Sequence, residues 1–313
     1  MGEMPESATN DPSGYAAKVD REAGHWAKHA QALSQGEQYA WLDHPKVAEH
    51  YRRRGLIDGV PWERWVVTRL GRPAGRSLEL GCGTGSRSMF LFDQGCSQSI
   101  DGVDIIGGSI DAAEQSRWTR NAPGQFRGVD VNAMALPRDT YDLIFASHSF
   151  HHFIALEHIM DEVLGALTSQ GLFVLEEFVG PTQFQWTDLQ IELVRGLTMC
   201  LPERLRRLRW GATKSHEGRP TPAEVVAVSP FESIRSGEIA RLFEERFETV
   251  AVRALGGTLQ HLLYNGIVHN FASDDDEAQR YLDAVFQIED VVIDAGLLPS
   301  DFRLLVGQRR RGP

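Results

Sequence analysis

Three glycines at alternate positions, directly after a short apolar run, constrain the fold more than any other feature of the sequence. The run from Ser77 to Leu80 predicts a buried strand, and the apolar residues from Met89 to Phe92 predict a helix behind the glycines. Strand, glycine turn and helix form the first unit of a doubly wound α/β sheet, whose ligands bind at the carboxyl ends of the strands. Glycine has no Cβ, so a ligand can lie against the main chain. We therefore expect an α/β fold with a ligand at this turn.

The spacing of the glycines separates two kinds of ligand. A dinucleotide loop has the pattern G-x-G-x-x-G. Here Gly81, Gly83 and Gly85 give the shorter pattern G-x-G-x-G, with Glu79 just ahead of it. Because a turn in any α/β protein could carry such glycines, the interpretation depends on the strands that follow.

Composition excludes several classes of protein. The chain has 313 residues, enough for one large α/β domain with insertions or for two small domains. Its net charge of −11 disfavours binding to nucleic-acid phosphates. Its three cysteines (Cys82, Cys96 and Cys200) are spaced too widely for a metal site or a disulfide framework. The N-terminus lacks the features of a signal peptide, and no stretch approaches the length of a membrane span. We therefore expect a cytoplasmic protein with neither a nucleic-acid nor a membrane partner.

The sequence also predicts how the chain is organised around the sheet. Residues 1–14 are rich in Pro, Gly, Ser and acids, which predicts disorder. Residues 15–71 predict a helical, aromatic-rich cap or lid, and residues 72–313 the α/β domain. Helical insertions are expected at about 183–240 and 258–297, before the sixth and seventh strands.

Acidic residues follow two of the predicted strands. Asp104 ends strand two about twenty residues after the loop, the offset at which a carboxylate accepts hydrogen bonds from ribose hydroxyls. Asp130 ends strand three, where a carboxylate can accept from the exocyclic amine of adenine. Strand four, the apolar run YDLIFA, leads into Ser147 and His148, and three later runs complete a seven-stranded sheet.

The segments LELGCGTG, GVDI, GVDVNAMALP, YDLIFASHSFHHF and GLFVLEE together resemble the successive motifs of class I S-adenosylmethionine-dependent methyltransferases. The resemblance covers roughly Arg76 to Glu177 and implies a Rossmann-like sheet that binds S-adenosylmethionine. It implies the following cofactor-binding residues: Glu79, Gly81, Cys82, Gly83, Gly85, Asp104, Ile105, Asp130, Val131 and Ser147. The Asn/Asp-Pro-Pro-Tyr signature of relatives that methylate bases or side-chain amides is absent after strand four. This departure favours a small-molecule acceptor.

Histidines after strand four are the candidates for chemistry. His148 lies nearest the carboxyl end of the strand and is the first candidate, with His261 as a second. His151 and His152 are adjacent on a turn, so we expect their side chains to point apart, and no carboxylate or cysteine stands at a ligand spacing. The sequence therefore predicts no metal, and it predicts a structural role for His152.

Aromatic residues outside the motifs are candidates for binding the acceptor. Tyr39 and Trp41 could close over the ligand as part of a lid, and Trp186 and Tyr264 could shape the acceptor pocket. The sequence does not specify the methylated atom. Three alternatives stay open: a nicotinamide-dependent oxidoreductase, a non-catalytic S-adenosylmethionine-binding protein, and an enzyme that uses the cofactor's charge without transferring the methyl group. A homodimer is also left open.

Overall fold

A seven-stranded sheet forms the centre of the molecule. The structure is a computed structural model and describes residues 12–34, 40–215 and 218–310. The strands are β1 (Ser77–Leu80), β2 (Ile100–Asp104), β3 (Phe126–Gly128), β4 (Tyr141–Ser147), β5 (Leu167–Phe178), β6 (Glu248–Gly256) and β7 (Phe302–Gln308). They lie in the order β3-β2-β1-β4-β5-β7-β6. The first five are parallel, and β7 is antiparallel to both of its neighbours. This arrangement confirms the predicted Rossmann-like sheet of seven strands.

Burial of the central strands explains their apolar composition. β1 is buried at every position, and β4 is buried at every position except Ser147. Strands with helices on both faces need apolar side chains on both faces, which is why these runs do not alternate. Because β1 and β4 are neighbours and parallel, their carboxyl ends open at the same edge of the sheet.

Helices cover the sheet and fill the predicted insertions. They are α1 (Pro12–Ser34), α2 (Pro45–Arg54), α3 (Trp62–Leu70), α4 (Ser86–Asp93), α5 (Gly107–Arg120), α6 (Leu156–Ala166), α7 (Asp188–Cys200), α8 (Pro222–Val228), α9 (Ser236–Arg246), α10 (Gln260–Tyr264) and α11 (Asp276–Asp294). Helices α7 to α9 stand between β5 and β6, and α10 and α11 between β6 and β7. Helix α1 begins at Pro12, within the segment 1–14 for which the sequence predicts disorder; residues 1–11 lie outside the described residues. Across the described ranges, no helix is both long and apolar enough to traverse a lipid bilayer.

Two charged runs have structural roles on the surface. Asp275 caps α11 by accepting hydrogen bonds from the backbone N–H groups of Glu277 and Ala278. Acidic groups in this position complement the helix dipole. Arg204, from the basic run 203–209, pairs with Asp275 and Glu277. The acidic residues 274–277 therefore form the start of a helix.

Candidate active site

A cavity of about 440 Å³ lies at the carboxyl ends of β1, β2 and β4. The glycine loop, the residues after β2, β3 and β4, and one side of α1 form its walls. Most of the predicted cofactor residues line it, together with His148: they are Glu79, Gly81, Cys82, Gly83, Asp104, Ile105, Asp130, Val131 and Ser147. Motifs spread over about seventy residues of sequence therefore line one cavity.

The three glycines of the loop have different roles. All three have positive φ angles, of 70°, 50° and 72° for Gly81, Gly83 and Gly85. A Cβ on Gly83 would meet no atom within 4 Å, because this residue faces the cavity. A Cβ on Gly85 would lie 3.0 Å from Ala113 Cβ and 3.1 Å from the ring of Phe126. Gly85 does not line the cavity; it permits close packing between the loop and α5. The structure therefore does not place Gly85 where the predicted contact with a cofactor would be made.

Asp104 joins the glycine loop to the end of β2. Its Oδ2 accepts from the backbone N–H of Gly83 at 2.8 Å, and its Oδ1 accepts from the backbone N–H of Ile106 at 2.9 Å. Carboxylate oxygens have more than one acceptor position each. Asp104 can therefore fix the loop and still accept hydrogen bonds from a ligand in the cavity.

Helix α1 covers the cavity above Asp130. The Tyr15 hydroxyl donates to Asp130 Oδ2 at 2.7 Å, and Asp130 Oδ1 accepts from the backbone N–H of Asn132 at 2.9 Å. Burial and the neighbouring Asp130 raise the pKa of Tyr15, so its hydroxyl remains a donor. Glu22 and Trp26 of the same helix also line the cavity. The cover is therefore α1, which belongs to the region 15–71 predicted as a cap or lid but precedes Trp41, the residue expected to close over the ligand.

The predicted aromatic acceptor residues lie away from this cavity. Trp41 packs against Tyr51, His261 and Phe302, with ring centroids 5.7, 6.0 and 5.3 Å away. Trp186 stacks on Phe184, and its indole N–H donates to Asp301 at 3.1 Å. We call the group formed by Trp41, Tyr51, Phe178, Phe184, Trp186, His261 and Phe302 the aromatic cluster. Tyr39 lies outside the described residues.

His261 and Tyr264 are also separated from the cavity wall. Burial lowers the pKa of His261 to about 4, so its ring is neutral within the aromatic cluster. Tyr264 is fully buried and packs edge-on against Phe271. The catalytic role predicted for His261 and the acceptor-binding role predicted for Tyr264 stay predictions, and neither side chain borders the cavity.

Glu79 is a buried carboxyl group on the cavity wall. Its Oε2 accepts from the backbone N–H and the hydroxyl of Ser88, at 3.1 and 2.5 Å. Burial raises its pKa to about 7, against the opposing effect of these hydrogen bonds. A cation placed beside Glu79 would favour the charged carboxylate, since an opposite charge stabilises it.

The raised pKa of Glu79 predicts a specific dependence of stability on pH. The folded-state pKa of Glu79, about 7, lies above its ordinary value of 4.5. The contribution of this group to the free energy of unfolding is therefore fully present below pH 4.5 and is lost as the pH rises through 7. Glu79→Gln removes the charge, and we expect it to raise the free energy of unfolding at pH 8 by up to about 3 kcal/mol. Urea denaturation at pH 5 and pH 8 without ligand measures this. An equal effect of the substitution at both pH values would contradict the assignment.

His148 has an unusual backbone and faces the cavity. Its φ of +54° lies in the left-handed region, which costs a non-glycine residue of order 1–3 kcal/mol. The ring Nε2 lies 3.3 Å from the Tyr51 hydroxyl and 3.9 Å from Glu176 Oε1. Burial on the cavity wall lowers the pKa of His148, although Glu176 and Glu177 act in the opposite direction. The imidazole is therefore neutral at neutral pH.

Glu176 and Tyr51 contact His148 without lining the cavity, and sequence reasoning did not identify either of them. Glu176 Oε2 accepts from the indole N–H of Trp62 at 3.0 Å and from the guanidinium of Arg87 at 2.5 Å. The segment GLFVLEE has two acidic residues at the end of strand five, and this pattern could have identified Glu176 as a candidate. The partners come from α2, α3 and α4, and no spacing in the sequence connects them with strand five.

The prediction that His151 and His152 point apart is wrong. Both residues occupy one tight 3₁₀ turn, Phe150–His152, and both rings lean to the same side, with centroids 4.2 Å apart. His151 Nε2 lies 3.7 Å from Glu232 Oε1, and His152 Nε2 lies 3.9 Å from Glu232 Oε2. The carboxylate that sequence spacing did not provide comes from the helical insertion, eighty residues further along the chain.

The sheet and the cavity together are typical of one class of protein, the Rossmann-like methyltransferases. The features that they share with this class are the order of the strands, the glycine loop and the acids at two strand ends. Residues 78–175 match the sequence profile of the family described as "Methyltransferase domain". This match covers about a third of the chain, and over that region the chain is similar to methyltransferase domains.

Curated relatives match the chain over the same region. A Malonyl-[acyl-carrier protein] O-methyltransferase from Paenibacillus sp. (strain JDR-2) is 31% identical over 110 residues, which cover 34% of this chain and 40% of the relative. The uncharacterized methyltransferase YcgJ from Bacillus subtilis (strain 168) is 26% identical over 140 residues, covering 44% of this chain and 54% of the relative. The matched region thus spans about half of these relatives or less.

Solved structures are similar to the chain at low sequence identity. A geranyl diphosphate C-methyltransferase from Streptomyces coelicolor A3(2) is 12% identical, with a TM-score of 0.48 covering 99% of this chain and 91% of that one. An S-adenosylmethionine-dependent methyltransferase from Mesorhizobium loti is 16% identical, with a TM-score of 0.45 covering 81% of this chain and 99% of that one. Likeness at this level does not inform the reaction of this chain.

Proposed function

We propose that this protein transfers a methyl group from S-adenosylmethionine to a small-molecule acceptor inside the cavity under α1. The observation that carries the proposal is that this cavity joins an open glycine position, Gly83, to carboxylates at the ends of two strands and to the neutral imidazole of His148.

The donor and acceptor groups of the cavity fit this cofactor. Asp104 would accept from the ribose hydroxyls, Asp130 from the adenine amine, and Glu79 would face the cationic methionine end. Gly83 leaves room where any side chain would enter the cavity. When bound, S-adenosylmethionine supplies an electrophilic methyl group on a positively charged sulfur. Rejection of a pyrophosphate-containing dinucleotide follows from the short glycine loop.

The protein's own contribution is to position the acceptor, exclude water and manage a proton. Tyr15 of α1 hydrogen-bonds to Asp130, so α1 closes the cavity from above. His148 stands on the wall with a neutral ring, and the Tyr51 hydroxyl fixes its Nε2 side. If the acceptor is a hydroxyl, this imidazole accepts its proton as the new bond forms. If the acceptor carries no such proton, His148 orients it.

Oxygen is the acceptor atom that this site suits best. A base is useful for an alcohol or a phenol, whereas a thioether has no proton to lose and a carboxylic acid is already ionised at neutral pH. The relative from Paenibacillus is named as an O-methyltransferase, which agrees with this choice. The left-handed backbone of His148 is a feature found at active sites and ligand clamps, and it supports a role for this residue at the site.

Direct binding and turnover test the proposal. Calorimetry with S-adenosylmethionine and S-adenosylhomocysteine should show one site per chain, while NAD and NADP should not bind. Incubation with methyl-labelled cofactor and a panel of hydroxyl, phenol and carboxylic acid acceptors should then transfer label to a small molecule. Binding of NAD in place of S-adenosylmethionine would overturn the assignment, and cofactor binding with no transfer to any acceptor class would favour a regulatory protein.

Asp104→Asn should weaken S-adenosylhomocysteine binding by at least about tenfold, equivalent to ~1.4 kcal/mol. The physical reason is that hydrogen bonds to a charged carboxylate contribute roughly 1.5–3 kcal/mol each, more than those to a neutral amide. Asp101→Asn is the matched control: Asp101 lies on the same strand and bonds to Arg76 and Tyr141, but does not line the cavity. Calorimetry and thermal melting on both variants separate affinity from stability. Equal affinities in the two variants would contradict a ribose-binding role.

A further inference from the structure

His151, His152 and Glu232 turn donor atoms towards one another beside the cofactor cavity. Among the residues that the structure describes, each of the three offers one ligand atom, and these atoms lie within 4.8 Å of one another. We propose that this group binds one divalent transition-metal ion of the Zn²⁺ class. The two imidazoles and the carboxylate form a set that suits Zn²⁺, Co²⁺ or Fe²⁺ better than Mg²⁺, which prefers oxygen ligands.

The distances between these groups fit ligands of a common ion better than direct partners. The Nε2 atoms of His151 and His152 lie 3.7 and 3.9 Å from the two oxygens of Glu232. Charge-assisted hydrogen bonds between imidazolium and carboxylate would close to roughly 2.7–2.9 Å. Two ligands of a tetrahedral Zn²⁺, with bonds of about 2.0–2.1 Å, stand roughly 3.3 Å apart. The two observed histidine–carboxylate separations exceed this by about 0.4 and 0.6 Å, so the ligands would close on the ion as it binds.

Both histidines are oriented from behind by buried carboxylates. His151 Nδ1 donates to Glu177 Oε2 at 2.7 Å, and His152 Nδ1 lies 3.0 Å from Glu22 Oε1. In His151 the proton held on Nδ1 leaves the lone pair of Nε2 directed towards Glu232, whereas His152 Nδ1 lies at ion-pair distance from Glu22 without hydrogen-bond geometry. Metal-binding histidines characteristically donate their other ring N–H to such a carboxylate, which fixes the tautomer.

The orienting carboxylates are themselves fixed by the fold. Glu177 accepts from the backbone N–H groups of Ser149 and Phe150, at 2.5 and 2.6 Å. Glu22 accepts from the Ser229 hydroxyl at 2.7 Å and from the Trp26 indole at 2.8 Å. The pair of histidines is thus held in place before any ion arrives, which lowers the cost of ordering the ligands.

A metal here would connect three parts of the chain at the edge of the reaction cavity. His152 and Glu22 line the cavity. Glu232 lies between α8 and α9, within the helical insertion that precedes β6. The site joins the turn after β4 to the helical insertion, with α1 as its outer support. Metal binding does not depend on the cofactor, so it goes beyond the proposed function and can fail or succeed separately from it.

Titration of the tag-free, full-length chain with Co²⁺ and Zn²⁺ tests the site. After removal of bound metal with EDTA, we expect one equivalent of Co²⁺ to give visible d–d absorption, and Zn²⁺ to displace it. Mg²⁺ should neither bind nor displace. Absence of Co²⁺ and Zn²⁺ binding to the parent protein overturns the proposal, whatever the variants do.

Substitutions locate the bound ion. Glu232→Gln and His151→Asn should each lower Co²⁺ affinity by at least about 100-fold, and Glu22→Gln, which removes an orienting partner, by roughly 10–100-fold. Glu157→Gln is the matched control, because Glu157 pairs with Arg235 on the neighbouring surface and takes no part in the cluster. Circular dichroism and thermal melting check that each variant is folded. Undiminished affinity in folded Glu232→Gln and His151→Asn, or equal loss in the control, overturns the assignment.

Discussion

Replacing His148 with alanine or with glutamine should lower kcat by roughly 10²–10⁴-fold, the range that a positioned base contributes. The expectation rests on a neutral imidazole at the cavity wall, fixed by the Tyr51 hydroxyl 3.3 Å away. Affinity for S-adenosylhomocysteine should change little, because the predicted cofactor contacts are made by other residues. Initial rates at saturating cofactor, with calorimetry on the same variants, measure both quantities.

The pH dependence of the parent enzyme follows from the lowered pKa of His148. A base acts when it is unprotonated, so the rate falls as pH drops through the folded-state pKa and is flat above it. Since burial moves this pKa below its ordinary value of 6.5, we expect the fall below pH 6.5 and a plateau at neutral pH. The dependence should disappear from the residual activity of the His148 variants.

Two outcomes distinguish the roles of this residue. If His148 only orients the acceptor, glutamine should keep much of the activity, since its amide can replace the hydrogen bond, and alanine should not. Full activity in both variants, with cofactor still bound, would show that another residue carries the chemistry. His158→Gln is a suitable control: its ring bonds to the Met134 carbonyl at 2.9 Å and does not line the cavity.

The sheet could be predicted from the sequence because each strand carries its own signal. The apolar runs around Leu78 and Leu143 can only be satisfied by burial on both faces, and the acids of the cavity follow strands directly. Parallel strands bring their carboxyl ends to one edge, so Asp104 and Asp130 were expected together without any knowledge of tertiary contacts.

The rest of the site depends on contacts between distant segments, which local patterns do not encode. Tyr15 reaches Asp130 across 115 positions, and nothing in the composition of the N-terminal region distinguished α1 from Trp41 as the cover. The side chains of His151 and His152 were expected to point apart because the two residues are adjacent in sequence. The 3₁₀ turn that brings their rings together could not be predicted from that adjacency. Gly85 shows a different limit: a glycine required by packing looks the same in sequence as one required by a ligand.

Gly83→Val should abolish measurable cofactor binding, a loss of at least about 100-fold or ~2.7 kcal/mol. A Cβ on Gly83 meets no protein atom within 4 Å, so the valine side chain would occupy the cavity and displace the ligand. The φ of +50° at this position also makes any side chain costly, which would lower stability independently of binding. Gly95→Val separates these effects, because Gly95 has a φ of +65°, equally open surroundings and no place on the cavity wall. Thermal melting should show similar losses for the two variants, and calorimetry should show cofactor binding only in Gly95→Val. A folded Gly83→Val protein that binds S-adenosylhomocysteine as tightly as the parent would place the cofactor somewhere other than the glycine loop.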